Sequence, residues 1–442
     1  METTAKVIAV SGKGGVGKTT LAAAMVLAKG KKPGEKPLVT IGKDTRISSD
    51  MLEAALMAGI CSVGGDVMPL GTIPTPAVAY LTVLEQADAG IVISASHNPY
   101  EHNGIKVFNA RGYKLSDESE ARVEELILSG APMDIKTHGE IGKRLHGMRQ
   151  MKRDYIDHLI SSIDCDLSGL RVLVDCANGA SYKVAPLALE ELGAEVVRIG
   201  TEPNGVNIND HVGALHPETM ASKVREVRAD VGIALDGDAD RLIMADEHGN
   251  ILDGDQIMAM CAQDLMDREQ LPGNAICATV MSNIALEIYM KEHGGKLLRS
   301  KVGDRYVMEM MRREGIMFGG EQSGHLIFRS YSTTGDGLLS ALQVLRILRE
   351  KEKPLSEISH LLTLFPQKLV NVHVEKKLPF EERPAIGEAV KKVEAELGDR
   401  GRVLLRYSGT ESLCRIMVEC EDENKVSEYA NELADVVARE LR

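Results

Sequence analysis

Four short segments carry residue types and spacings suited to chemistry. The first, Ser94-Ala95-Ser96-His97-Asn98-Pro99, follows an apolar run and sets a serine beside a histidine. That pairing suits a nucleophile, although serine before Asn-Pro is also a common turn residue. The second, Asp236-Gly237-Asp238-Ala239-Asp240-Arg241, places three carboxylates at alternate positions. Oxygen ligands so arranged suit one hard cation such as magnesium, with room left for water or a phosphate oxygen. The third is Gly319-Gly320-Glu321-Gln322-Ser323-Gly324-His325, in which paired glycines let the main chain approach a ligand and Glu, Ser and His offer hydrogen bonds to hydroxyls. The fourth, Arg406-Tyr407-Ser408-Gly409-Thr410-Glu411 with Arg415 beyond it, surrounds a loop of hydroxyls and N–H groups with two guanidinium groups, a cradle for a phosphate dianion.

The aspartate cluster has two rivals, an EF-hand loop and a solvated acidic turn. Glu247 stands at the twelfth position counted from Asp236, but Arg241 occupies the place an EF-hand gives to glycine, and apolar strand-like segments flank the loop instead of helices. Three aspartates between apolar strands repel one another unless a cation is present, so the metal reading is preferred.

Near the N-terminus a fifth pattern stands apart. Lys6–Val10 reads as a strand, Ser11-Gly12-Lys13-Gly14-Gly15-Val16-Gly17-Lys18-Thr19-Thr20 fits G-x-x-x-x-G-K-[ST], and a helical stretch runs on to Lys29. Glycine N–H groups and a helix N-terminus cradle phosphates, and Lys18 would neutralise their charge.

The elements that must position these segments alternate between strand and helix. Leu38–Ile41, Gly90–Ile93, Arg171–Val174 and Val231–Leu235 read as strands; Asp50–Cys61 and Tyr182–Leu192 read as helices. This is the pattern of an α/β protein with largely parallel sheets, whose strand C-termini collect chemistry. Polar loops end strands at Ser94–Asn98, Asp236–Arg241 and Gly319–His325, a recurrence that suggests related units. Lys143–Asp154 is basic and helix-like and would link the first two. After Pro366 the order changes to a strand at Lys368–Val374, a helix at Arg383–Leu397, strands near Val403–Arg406 and Cys414–Val418, and a terminal helix, which predicts a small α+β domain.

Composition sets the bounds. A chain of 442 residues exceeds one ordinary core. A net charge of -13 argues against nucleic acid or an anionic membrane as partner, though not against a phosphorylated substrate in a local basic pocket. Seven cysteines, an odd number without a CxxC pair, argue against a disulfide framework or zinc ribbon and predict a reducing, cytoplasmic setting. No apolar run is long enough to span a bilayer, and Met1-Glu2-Thr3-Thr4 lacks the basic start of a secretory leader.

Taken together, the four segments, in this order and spacing, resemble the α-D-phosphohexomutase family from about Lys36 to the C-terminus. The likeness includes Gly42-Lys43-Asp44-Thr45-Arg46, Pro74-Thr75-Pro76, Asn103-Gly104-Ile105-Lys106 and Val302-Gly303-Asp304-Arg305. The resemblance implies four domains around a central cleft: α/β units over 1–150, 151–252 and 253–365, and an α+β unit over 366–442. It implies that Ser96 is the phosphorylated serine, with His97, Lys106 and Arg241 beside the transferring group. Asp236, Asp238 and Asp240 would hold magnesium together with the Ser96 phosphate. Lys301, Glu321, Ser323 and His325 would face the sugar, and Arg406, Ser408, Gly409, Thr410 and Arg415 the phosphate that does not react. No separate organic cofactor is implied, and a homodimer is compatible with the resemblance. Gly-Gly-Glu-Gln-Ser-Gly-His is most similar to members acting on glucosamine phosphates, which implies exchange of glucosamine 6-phosphate and glucosamine 1-phosphate through glucosamine 1,6-bisphosphate. Members acting on mannose or glucose phosphates are the alternative, and the sugar choice rests on Gln322 and Ser323.

The first thirty residues depart from this family. Its members open with a Gly-Thr-Asp-Gly-x-Arg-Gly loop that this chain lacks, whereas Lys13 and Lys18 resemble the deviant P-loops of the ParA/MinD/nitrogenase iron protein class. Nucleotide binding through Gly12–Thr20, or phosphosugar binding without turnover, are the competing readings.

Overall fold

The computed structural model describes residues 35–128, 135–408 and 412–441. The P-loop-like segment, Gly409 and Thr410 lie outside them. The first sheet contains β1 (Leu38–Lys43), β2 (Asp66–Thr72), β3 (Ala89–Ile93) and β4 (Ile105–Asn109) in the order β2-β1-β3-β4. The second has β5 (Arg171–Asp175), β6 (Glu195–Ile199), β7 (Val231–Leu235), β8 (Leu242–Asp246) and β9 (Ile251–Leu252), ordered β6-β5-β7-β8-β9. The third has β10 (Ala275–Thr279), β11 (Lys296–Ser300), β12 (Phe318–Gly320) and β13 (Leu326–Phe328), ordered β11-β10-β12-β13.

These three sheets repeat one plan. Two parallel strands build outward, the third crosses to the other side of the first, and the fourth returns antiparallel beside the third. The reversal of strand order makes a switch point in each sheet, where α/β folds place ligands. The sequence-predicted recurrence is therefore a structural repeat. All three polar loops connect the third strand to the fourth: 94–104 after β3, 236–241 after β7 and 321–325 after β12. The third strands are apolar runs because they are buried between neighbours; every residue of β3 and β7 is buried.

Two sequence expectations need correction. Gly319 and Gly320 belong to β12 and not to the loop. A Cβ on Gly319 would lie 2.4 Å from the Cys277 carbonyl, and one on Gly320 2.6 Å from that of His325, so close packing within the sheet, not a ligand, excludes side chains there. The helix expected at Lys143–Asp154 instead runs Met148–Ile160. Ahead of it the chain is extended along β2, where Leu145 N donates 2.7 Å to the Val67 carbonyl.

Helix Met148–Ile160 and helix Gly337–Lys351 lie at the middle of a continuous apolar core that includes Leu70, Tyr155, Leu189, Met258 and Leu345. The C-terminal unit is an antiparallel sheet ordered β14 (Gln367–His373), β16 (Leu413–Cys420), β15 (Gly401–Tyr407). Helices Pro384–Leu397 and Glu423–Glu440 cover it over a separate core of Val372, Ile416, Tyr429 and Leu433. No helix among the described residues is long and apolar enough to cross a membrane.

Candidate active site

The loops after β3 and β7 meet. Ser96 adopts φ 51, the left-handed region, at a cost of about 1–2 kcal/mol for a residue with a Cβ. Its Oγ donates 2.6 Å to Asp236 Oδ2, and its N–H donates 2.9 Å to Ser94 Oγ. The loops touch at Gly237, where a Cβ would come within 2.6 Å of the Ser96 carbonyl. The apposition of serine and aspartates thus depends on a glycine between two of the carboxylates.

The ligand oxygens of Asp236, Asp238 and Asp240 lie within 4.8 Å of one another and all three residues are buried. Lys106, on β4, donates 2.6 Å to Asp238 Oδ2 and lies 3.5 Å from Asp240 Oδ2. Two helix N-termini also face this loop: Thr75 N donates 2.9 Å to the Asp238 carbonyl and Gly337 N 3.0 Å to that of Ala239. Their dipoles favour negative charge there. The electrostatics remain unbalanced. Burial, then the charges of Asp240 and Asp238, push the Asp236 carboxyl well above the usual carboxylate range. Burial also opposes ionisation of Asp240, but Lys106 and then His325 outweigh it and hold that group well below the usual range. Asp238 Oδ1 and Asp240 Oδ1 are buried without a hydrogen-bond partner among the described residues. Two orphaned carboxylate oxygens beside a carboxyl that resists ionisation are what a divalent cation would satisfy, and an all-oxygen donor set suits a hard one. Glu247, the possible EF-hand ligand, instead accepts from the Ser356 hydroxyl and backbone.

His97, Lys106, Asp240, Arg241, Glu321 and His325 line one pocket with Ser96. Burial, followed by the Arg241 charge, lowers the His97 pKa to about 4, so its imidazole is neutral near pH 7. His325 Nε2 accepts from Gly335 N at 3.0 Å, leaving Nδ1 toward Asp240 Oδ1 at 3.6 Å. Glu321 accepts through Oε1 from Gly303 N at 3.1 Å, at the start of helix Asp304–Glu314. The 321–325 loop is fastened to the end of the 236–241 loop by Leu242 N, which donates 2.9 Å to the Gly324 carbonyl.

Other expected residues sit differently. Gln322 turns aside: its amide donates 3.2 Å to Asp253 Oδ2, and its carbonyl accepts from Gly254 N at 3.0 Å. It ties the loop to the N-terminus of helix Gly254–Asp267 and does not line the pocket around Ser96. Lys301 is exposed, with Nζ 5.9 Å from the Tyr306 ring centroid. Lys301, Ser323, Arg406, Ser408 and Arg415 are also absent from that pocket wall. Arg406 and Arg415 are directly paired across β15 and β16, so they share one face of the C-terminal sheet, and Ser408 begins the loop between those strands.

Several pocket and loop contacts were not assigned from sequence. Lys114 and Asp304 form an ion pair at the pocket wall. Thr75 Oγ1 donates 2.5 Å to Asp238 Oδ2. Arg46 and Asn209 bind the Ser96 loop. Thr75, Arg46 and Asp304 lie in segments quoted above for the resemblance, which was the available signal; Asn209 had none.

Comparison with known proteins gives a consistent result. Sequence profiles described as phosphoglucomutase/phosphomannomutase match along the chain: α/β/α domain I over residues 11–132, domain II over 153–249, domain III over 253–365 and the C-terminal domain over 369–436. A phosphoglucosamine mutase of Desulfovibrio desulfuricans is 64% identical over 407 residues, covering 91% of this chain and 90% of that protein. One from Lawsonia intracellularis is 57% identical over 414 residues, covering 93% and 92%. Among solved structures, a phosphoglucomutase/phosphomannomutase family protein from Burkholderia thailandensis superposes with a TM-score of 0.79 at 23% identity, covering 98% of this chain and 95% of that one.

Proposed function

The chain belongs to the phosphoglucomutase/phosphomannomutase family, the α-D-phosphohexomutases, and from that premise we propose that it interconverts glucosamine 6-phosphate and glucosamine 1-phosphate through Ser96. It is an intramolecular phosphotransferase of carbohydrate metabolism. The observation that carries the residue-level reading is the 2.6 Å contact between Ser96 Oγ and Asp236 Oδ2 inside the carboxylate triad.

In this reading the phosphoryl group on Ser96 Oγ passes to the free hydroxyl of a hexose monophosphate. The P–Oγ bond breaks, a bond to the sugar oxygen forms, and the sugar hydroxyl proton ends on Ser96 Oγ as it leaves, with neutral His97 on the same loop available to relay it. Glucosamine 1,6-bisphosphate results. It reorients and returns its other phosphoryl group to Ser96. Asp236, Asp238 and Asp240 would hold Mg²⁺, which when bound supplies charge neutralisation to the transferring group. Lys106 and Arg241 add fixed positive charge beside that group, and Glu321, Ser323 and His325 orient sugar hydroxyls. Lys301, exposed and outside the pocket wall, would reach the sugar only from the solvent side. Arg406, Ser408 and Arg415, with Gly409 and Thr410, would grip the phosphate at rest. The seven unpaired cysteines support a reducing, cytoplasmic setting. A homodimer remains part of the proposal, checked by sedimentation.

The test is a coupled assay primed with a sugar bisphosphate, comparing glucosamine, glucose and mannose phosphates. Glucosamine phosphate should be preferred and Ser96→Ala should remove turnover; an active Ser96→Ala protein would overturn the mechanism. A second reading attaches to Gly12–Thr20, whose pattern predicts nucleotide phosphate binding. Calorimetric titration with ATP checks it, and the heat should vanish in Lys18→Ala.

A further inference from the structure

We propose that Arg46 and Asn209 are positioning residues for phosphoryl transfer, gripping the main-chain carbonyls of the Ser96 loop from two domains and thereby fixing where Ser96 Oγ stands. The inference rests on the reading of Ser96 as phosphoryl carrier and deepens it.

Arg46 lies just beyond the C-terminal end of β1, at the switch point of the first sheet, and its side chain is fully buried. A guanidinium has five N–H donors, and all five find acceptors here. Nε donates 2.8 Å to Asp44 Oδ2. Nη2 donates to the carbonyls of Ser96 at 2.9 Å and Asn98 at 2.8 Å; Nη1 donates to those of Pro99 and, at 2.9 Å, His102. Only one of the five bonds neutralises charge. The other four go to carbonyls of a single loop. Asp44 is itself fixed, because its second oxygen accepts from Arg46 N at 3.0 Å and Ser49 Oγ at 2.9 Å. An arginine buried only to balance an aspartate would face both carboxylate oxygens in a fork.

Asn209 reaches the same carbonyls from the second sheet's side, on the loop that follows β6. Its amide donates 2.9 Å to the Ser96 carbonyl and 3.1 Å to that of Asn98. Asn209 is itself buried and left-handed at φ 58, with its N–H bonded 2.9 Å to the Ala177 carbonyl. The Ser96 carbonyl thus accepts one donor from each of two domains, at the residue whose own φ is strained. Strained backbone persists where its surroundings over-determine it. Released from either donor, Ser96 would relax toward negative φ and carry Oγ away from Asp236. The phosphoryl group leaves Ser96 and returns to it in each turnover, so the same placement is used twice, and a displacement near 1 Å costs on the order of 100-fold in rate.

The experiment compares wild type, Asn209→Ala, Asn209→Asp and Arg46→Lys. For each, kcat and KM toward glucosamine 1-phosphate, the phosphorylated fraction by intact mass and the thermal midpoint are measured. Asn209→Ala should lower kcat about 10-fold with KM within about twofold. Asn209→Asp has the same size but replaces the donor with an acceptor facing two carbonyls, and should be worse than alanine. Arg46→Lys keeps the charge but not the fork, and should lose about 100-fold. The Asn209 variants should melt within about 4 °C of wild type. Should Arg46→Lys fail to fold, the Asn209 pair decides alone. An unchanged kcat per folded molecule in both Asn209 variants, a loss confined to KM, or Asp no worse than Ala overturns the proposal. A wild type inactive on every hexose phosphate sinks the functional reading instead. The grip is then judged by hydrogen exchange over residues 94–104, and unchanged protection in Asn209→Ala overturns it.

Discussion

Thr75 Oγ1 and Lys106 Nζ both donate to Asp238 Oδ2, at 2.5 and 2.6 Å, and leave Asp238 Oδ1 for the centre of the carboxylate cluster. One oxygen is thus occupied by protein donors, which fixes the rotation of the carboxylate before any cation arrives. Outer partners of this kind tune ligands strongly, typically by about 10–100-fold in metal affinity. Thr75→Val is nearly isosteric and removes only the hydroxyl. It should raise the Mg²⁺ concentration for half-maximal activity by about 10-fold, and Thr75→Ser should restore it. A magnesium titration of turnover checks both, and an unshifted Thr75→Val curve would show that the hydroxyl does not orient Asp238.

Gln322 makes a contrasting case. Its amide is bonded to Asp253 Oδ2, and Asp253 also caps helix Gly254–Asp267 through the N–H groups of Asp255 and Gln256. Gln322→Met should therefore cost about 1 kcal/mol of stability through one lost hydrogen bond. The ratio of kcat/KM between glucosamine and glucose phosphates should stay within about twofold, since a preference change of tenfold would need about 1.4 kcal/mol of differential contact with the sugar. A reversed sugar preference in this variant would place Gln322 at the substrate after all.

The legible parts of the fold were those governed by local pattern. Val231–Leu235 reads as a strand and is one, because burial on both faces demands an unbroken apolar run; the aspartates that follow cannot continue it and form the loop. Asp236, Asp238 and Asp240 were legible for the same reason, being an acidic cluster where apolar chain is expected. The partners of Ser96 were not. Arg46 lies 50 positions from Ser96 and Asn209 113, and no spacing rule links such residues. Lys143–Gly147 misled because its basic residues suit a helix, yet the segment is held extended by pairing with Val67, a tertiary contact invisible in the local pattern.

Asp336 offers a pH-dependent test at the N-terminus of the helix that faces the 236–241 loop. Its carboxylate caps helix Gly337–Lys351 by accepting from Leu339 N at 3.0 Å and accepts from Tyr155 OH at 2.7 Å. Burial pushes its pKa up to about 6 against these hydrogen bonds. A folded pKa above the unfolded value means that stability is fully present below about pH 4 and is lost as pH rises through about 6, by roughly 3 kcal/mol. Asparagine cannot ionise and keeps an acceptor for the cap. Relative to wild type, Asp336→Asn should therefore gain in thermal midpoint between pH 4.5 and pH 7.5. A gap between the two proteins that does not vary with pH would mean that Asp336 is not held in its neutral form.

The last prediction concerns removal of the metal. Asp236, Asp238 and Asp240 converge on one point with two orphaned oxygens, and a phosphate on Ser96 would add about 1.5–2 further negative charges there. Lys106 and Arg241 cannot balance that sum, so phosphoryl transfer should stop in EDTA and resume when Mg²⁺ is restored. The fold should survive. The triad sits on one loop between β7 and β8, whose strands are held by their own antiparallel pairing and by an apolar core on both faces. In the absence of a cation the raised pKa of Asp236 lets one carboxyl stay protonated and eases the repulsion. Asp238→Asn removes one charge and should weaken Mg²⁺ binding without abolishing it, while Asp236→Ala with Asp240→Ala should eliminate the site. Turnover and thermal unfolding measured side by side in EDTA, and again with Mg²⁺ returned, separate the cases. Full activity in EDTA would refute the metal assignment. Global unfolding in EDTA would instead make the ion a structural element, and loss of activity would then follow from loss of the fold.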